Sequence, residues 1–174
     1  RDKWNILNFE SAQLPLDGEA DRRASIDPVV ADGLLITVAD RRDLAEPDDI
    51  ARLEAVRAAL GPDGRIRIDA NGAWDVDTAL ARLPVLDRAA GGLEYVEQPC
   101  ASVPELAEVR RRQSVLVAAD ESVRRAEDPL AVARAEAADV LVLKVQPLGG
   151  VRACLRIAES TGLPVVVSSA LETS

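Results

Sequence analysis

The sequence predicts an α/β fold built on a parallel sheet, and three observations carry that expectation. From Gly33 onward, short β-branched apolar runs alternate with stretches whose apolar residues recur at helical spacing. The strand runs are apolar on both faces, as strands covered by helices must be. A polar or charged residue closes each run from the second onward, at nearly constant intervals. Alternating βα units of this kind make either a closed barrel or a doubly wound open sheet.

The elements follow in order. Leu34 to Ala39 is a short apolar strand run. Pro47 to Leu60 carries Ile50, Leu53, Val56 and Leu60 at helical spacing, with proline where the first turn tolerates it. Arg65 to Asp69 is the second strand. A helix is expected over Asp75 to Ala90, with Pro84 as a candidate break. Leu93 to Glu97 and Val103 to Arg112 form the next pair, then Val115 to Ala119 and Asp128 to Ala137, then Val140 to Val145 and Gly150 to Ser160. Pro164 to Ser169 closes the series. Residues 1 to 32 mix Pro15, Gly18, Asp17 and Arg22-Arg23 without a period; they are expected to be an irregular segment with one strand near Trp4 to Phe9, before a domain over 33 to 174.

Composition narrows the chemistry. The 174 residues include 30 acidic and 21 basic side chains, giving a net charge of −9, with no His and no Met. Without histidine there is no Ser-His-Asp triad, no His-ligated zinc and no imidazole acid/base. The negative charge argues against nucleic acid and anionic membrane as partners. No run is long enough for a transmembrane helix and no signal peptide is visible, so a cytoplasmic protein is expected, with Cys100 and Cys154 as reduced thiols. A chain that opens on Arg1 without Met reads as a partial piece. The glycine fingerprint of a dinucleotide site and the P-loop are both missing.

The strand ends hold the candidate site. Asp69, Glu97 and Asp120 close three successive strands, Lys144 lies near the end of the next, and Ser168 and Ser169 end the last. The intervals 69–97, 97–120, 120–144 and 144–168 are 28, 23, 24 and 24 residues, one βα unit each. In a parallel barrel equivalent positions meet at the C-terminal mouth, where active sites of that architecture lie. Three carboxylates there would repel one another, and a hard divalent cation such as Mg²⁺ relieves the repulsion through oxygen ligands. A lone strand-end aspartate would more simply be a cap.

Lys144 stands out because only two of the basic residues, Lys3 and Lys144, are lysines. It is either an ion-pair partner for one of the carboxylates or an acid/base or cationic group facing a metal, a role arginine fills poorly. Asn71 either caps the following helix or faces a ligand. Gly149-Gly150 either forms a plain loop or presents backbone N–H groups to an anion. Arg110-Arg111-Arg112 and Arg124-Arg125 read as solvated faces.

These segments together resemble the enolase superfamily: Arg67-Ile68-Asp69-Ala70-Asn71-Gly72-Ala73-Trp74, Leu93-Glu94-Tyr95-Val96-Glu97-Gln98-Pro99-Cys100, Ala119-Asp120-Glu121-Ser122, Leu143-Lys144-Val145-Gln146-Pro147-Leu148-Gly149-Gly150 and Ser168-Ser169-Ala170-Leu171-Glu172-Thr173-Ser174. The resemblance covers most of residues 46 to 174. It implies an incomplete (β/α)8 TIM-type barrel with the capping domain absent or vestigial, and Mg²⁺ held by Asp69, Glu97 and Asp120. It implies Lys144 as the catalytic cation, and Asn71, Gly149, Gly150, Ser168 and Ser169 in the segments that line a small-molecule carboxylate pocket.

Within the superfamily the Cys after Glu-Gln-Pro and the Ser-Ser-Ala-Leu-Glu ending resemble a lyase branch of menaquinone biosynthesis. Those enzymes dehydrate a cyclohexadiene carboxylate to an aromatic ring. A racemase or epimerase of the same superfamily and a non-catalytic, metal-binding fragment are the alternatives. Two departures stand against the family pattern. The Lys-x-Lys pair that supplies its base aligns with Leu35 and Thr37, and the eighth βα unit has no counterpart, which implies open sheet edges.

Overall fold

The computed structural model describes residues 34–37, 47–125 and 127–168. Six strands form one sheet in the order β1-β2-β3-β4-β5-β6: Leu34–Thr37, Ile66–Asp69, Leu93–Glu97, Val117–Ala119, Val140–Lys144 and Val165–Ser168. Every neighbouring pair is parallel. Five α-helices fill the crossovers: α1 Pro47–Leu60, α2 Val76–Ala89, α3 Val103–Arg112, α4 Asp128–Arg134 and α5 Val151–Thr161. The strand order decides between the two expected architectures. A doubly wound sheet reverses its order at a switch point, whereas this sheet runs in sequence order throughout, as an arc of a (β/α) barrel does. The strand expected near Trp4 to Phe9 lies outside the described residues, as do Val38 and Ala39.

Side-chain alternation divides the sheet into two faces. On one, Ile66, Ile68, Val96, Val117, Ala119, Leu141 and Leu143 join Leu53 and Val56 of α1, Leu83 and Leu86 of α2, Leu106 and Val109 of α3, and Cys154 and Ile157 of α5 in one core. On the other, Tyr95, Ala118, Val140, Val142 and Val166 form a separate cluster to which no helix among the described residues contributes. The helices therefore cover one face, and the second face is the barrel interior.

Local chemistry explains the helix ends. Asp75 caps α2, its Oδ1 accepting from the Thr78 amide at 2.8 Å. Ser102 and Glu105 close a reciprocal capping box on α3. Pro84 does not break α2, contrary to expectation. It lies on the exposed side of the helix, and Leu83 and Leu86 are fully buried on either side of it, so packing outweighs one lost hydrogen bond. The fourth strand is shorter than the run Val115 to Ala119 suggested. Leu116 is exposed, and the carbonyl of Val115 accepts from the side chain of Gln113. A 3₁₀ turn over Glu121–Val123 follows it, which the pattern did not signal.

Candidate functional site

Register partners in a parallel sheet share a face, so the interior residues can be read across the strands. Arg67 stands opposite Tyr95, Asp69 opposite Glu97, Glu97 opposite Ala118, and Lys144 opposite Ser168. Asp120 follows Ala118 by two positions. The residues at the C-terminal ends on the interior face are thus Asp69, Glu97, Asp120, Lys144 and Ser168. Ser169 lies outside the described residues.

Burial and mutual repulsion govern the acids. Glu97 is 4 % exposed and Asp120 3 %. Desolvation, then the neighbouring charges of Asp69 and Asp120, push the Glu97 carboxyl up to about 9. Desolvation likewise raises Asp69 to about 6, against a hydrogen bond from the Asn71 amide, which reaches its Oδ1 at 2.9 Å. The Lys144 ammonium donates to Asp120 Oδ2, and the Arg124 guanidinium lies 3.7 Å from the same oxygen. The ion-pair reading of Lys144 is the one seen here: it pairs with a strand-end carboxylate at the barrel mouth. Asp120 Oδ1 is buried with no hydrogen-bond partner among the described residues.

As the side chains stand, no three acidic, cysteine or histidine groups among the described residues converge closely enough to grip an ion. Lys144 supplies the counter-charge to Asp120 instead. The donor set still fits a hard cation. It consists of oxygens alone, burial and neighbouring acidic charges (Glu121 and Asp120 on Asp69, Asp69 and Asp120 on Glu97) hold two of the acids from ionising, and Asp120 keeps one buried oxygen without a hydrogen bond among the described residues.

The remaining candidates are resolved in part. Asn71 is not a helix cap; Asp75 does that work, and exposed Asn71 sits at φ 48 in a turn on Asp69. The amides of Gly149 and Gly150 donate to Gln146 and Val145 carbonyls at 3.1 and 2.8 Å, so they turn inward rather than toward an anion. Their φ values of 90 and 101 are the reason both are glycine. Arg110 is no solvated face: it bonds Asp139 Oδ1 at 2.7 Å. Cys100 and Cys154 are free and buried, as expected for thiols.

One residue of the site escaped the sequence reading. Gln98, fully buried, ties the loop after β3 to the loop after β4. Its Oε1 accepts from the amides of Asp120 and Ser122 at 3.0 and 3.3 Å, and its Nε2 donates to Cys100 O at 2.9 Å and Ser122 Oγ at 2.7 Å. No pattern flags it, because glutamine at φ 38 is not what turn chemistry selects. Replacing it by leucine leaves buried donors and an acceptor without partners, so Gln98→Leu is expected to cost about 2 kcal/mol, read as a lowered midpoint in urea. An unchanged midpoint would remove Gln98 from this role.

A sequential parallel sheet with carboxylates and a lysine at the interior strand ends defines an incomplete (β/α) barrel with an acidic mouth. The chain belongs to the enolase C-terminal domain-like family, whose model matches residues 31–173. It is 71% identical over 139 residues to an o-succinylbenzoate synthase of Thermobifida fusca, covering 80% of this chain and 43% of that protein. It is 57% identical over 136 residues to an o-succinylbenzoate synthase of Mycobacterium tuberculosis, covering 75% of this chain and 40% of that protein. Among solved structures it superposes on a dipeptide epimerase from Enterococcus faecalis with a TM-score of 0.72 at 31% identity, over 82% of this chain and 41% of that one. A muconate lactonizing enzyme from Pseudomonas putida gives 0.70 at 26% identity, over 80% and 39%. The chain thus spans less than half the length of these relatives.

Proposed function

We propose that this chain is the site-bearing part of an o-succinylbenzoate synthase-like lyase, a Mg²⁺-dependent dehydratase of menaquinone biosynthesis in the cytoplasm. The observation that supports the reading is that Asp69, Glu97, Asp120 and Lys144 share one interior face, within residues 31–173 matched by the family model, in a chain similar to two proteins of that name. Its partner is a small carboxylate, and neither nucleic acid nor membrane suits the net charge of −9.

Asp69, Glu97 and Asp120 would hold the Mg²⁺. Bound there, the ion supplies positive charge to polarise a substrate carboxylate. With Asp120 engaged there, the Lys144 ammonium would be available to face the ring and stabilise the negative charge that develops as a base takes the ring proton. Return of that proton to the ring hydroxyl, which would leave as water, would complete the aromatic product. Asn71, Gly149, Gly150, Ser168 and Ser169 would shape the pocket, the glycines through their backbone course.

The base is the weak point. Backbone positions 35 and 37 stand in register with Arg67 and Asp69, which supports aligning them with the family's Lys-x-Lys pair, yet they hold Leu35 and Thr37. Turnover by the chain as it stands is therefore expected to be weak or nil. An epimerase reading, prompted by the Enterococcus faecalis neighbour, meets the same obstacle and needs a base on each face. The non-catalytic, metal-binding fragment is the reading that Leu35 and Thr37 favour.

Mg²⁺ tests the metal site directly. Both raised acids hold protons in the folded state that the unfolded chain releases. Their effect is thus to favour folding at low pH, and that contribution falls as pH rises from about 4 through about 6 for Asp69 and on to about 9 for Glu97. A bound cation reverses this by stabilising the ionised forms. Mg²⁺ is expected to raise the unfolding midpoint more at pH 8.5 than at pH 6, with proton release visible as a buffer-dependent heat of binding. No stabilisation at either pH would leave a barrel fragment without a metal site.

A further inference from the structure

Arg124 is the second cation at the barrel mouth. Resting on the reading above, we infer that it recognises the remote carboxylate of a dicarboxylate ligand, so that it sets specificity rather than chemistry. The inference starts from Asp120 Oδ2, which two cations approach. The Lys144 ammonium comes from inside the barrel, and the Arg124 guanidinium lies 3.7 Å away on the loop that follows β4.

The two cations differ in what they can do next. The Lys144 side chain is 18% exposed and that of Arg124 is 51% exposed. Arg124 is therefore open to solvent at the rim, steadied by Glu121 Oε1 at 3.1 Å. Its contact with Asp120 is too long for a hydrogen bond and is readily surrendered. Neighbouring Arg125 is engaged elsewhere: its Nε and amide both bond Asp128 Oδ2, at 3.1 and 3.0 Å, and its side chain is 77% exposed.

The proposed product, o-succinylbenzoate, carries one carboxylate on the ring and a second at the end of a flexible succinyl arm. The ring carboxylate belongs near the acids and Lys144. In a mouth lined by Asp69, Glu97, Asp120 and Glu121, the second carboxylate needs its own cation, and a guanidinium fork suits it. Arg124 lies beside Asp120 at the mouth, with about half of its side chain exposed.

The test compares two ligands on the full chain with Mg²⁺, by calorimetry, using Arg124→Gln and Arg125→Gln. o-Succinylbenzoate is expected to bind Arg124→Gln about tenfold more weakly, while benzoate, which lacks the arm, binds it as it binds the unaltered chain. Arg125→Gln is expected to bind both ligands normally. An equal loss for both ligands would show that Arg124 acts only through Asp120 and would overturn the inference. Equal losses from the two arginine variants would reduce it to general electrostatics and overturn it as well. If the unaltered chain binds benzoate but gains nothing from the succinyl arm, this inference fails while the metal-site reading stands. If it binds neither, the functional reading fails and takes this one with it.

Discussion

Lysines introduced together at positions 35 and 37 are expected to switch on dehydration, with Leu35→Lys/Thr37→Lys turning over substrate roughly 10²–10⁴-fold faster than the chain as it stands. The physical basis is a division of labour. On the proposed reading the acids would hold a cation and Lys144 would stabilise negative charge, but neither would remove the ring proton. β1 lies next to β2 with position 37 opposite Asp69, so a base there would stand beside the acids. Neither the leucine nor the threonine side chain accepts a proton near neutral pH. The measurement is single-turnover formation of the aromatic product in Mg²⁺, with Lys144→Ala added to the double variant as the control that returns it to background. If the double variant folds, binds Mg²⁺ and remains inert, the missing part of the barrel and not the missing base is the limiting defect. If the unaltered chain itself turns over at a rate lost on Lys144→Ala, the assignment of the base positions is wrong.

The largest effect on stability is expected at Arg82. This residue is 1 % exposed on α2, with its guanidinium 5.1 Å over the Trp74 ring and 3.6 Å from Asp49 Oδ2 in the first turn of α1. It joins the loop after β2 to the two helices that pack outside it. Arg82→Met keeps much of the apolar stem but leaves the buried Asp49 carboxylate short of a counter-charge. Breaking a buried pair in this way costs roughly 3–5 kcal/mol. Arg52, 3.5 Å from Asp49 Oδ1, retains part of the compensation, so a loss of about 3 kcal/mol is expected. In a domain of this size that lowers Tm by roughly 6–12 °C. Adding Asp49→Asn should return part of the loss, because the uncompensated charge is then gone. A midpoint within 1 °C of the unaltered chain for Arg82→Met would show that the pair contributes nothing net.

Much of the frame was legible because its signals are local. Six apolar runs and five helical periods correspond to the six strands and five helices described, with shifts of a few residues at their ends. Boundaries moved where packing intervened. Pro84 stayed inside α2 because Leu83 and Leu86 anchor both sides of it, and β4 began late because Gln113 occupies the Val115 carbonyl. The strand-end acids were legible for a related reason, since a fixed βα length gives equivalent positions a fixed spacing.

Contacts between loops were not legible. Gln98 orders the Asp120 loop across 22 residues of sequence, and Arg82 meets Asp49 from another helix. Such pairings depend on crossover packing, which no short window contains. Arg124 is a different case: its partners Asp120 and Glu121 lie only four and three residues away, and its double-arginine context made it look like surface charge alone.

By itself, then, the sequence determined that strands and helices alternate, and that Asp69, Glu97, Asp120 and Lys144 recur at equivalent phases. It also determined that lysine is missing from positions 35 and 37. Only the tertiary structure decided that the strands run in sequential order with every helix on one face, which turns equivalent phase into a shared interior. It alone decided that Lys144 and Arg124 converge on one oxygen of Asp120. Periodicity specifies which way a side chain points along its own strand. Which charges meet is set by strand order and burial, and these belong to the assembled barrel.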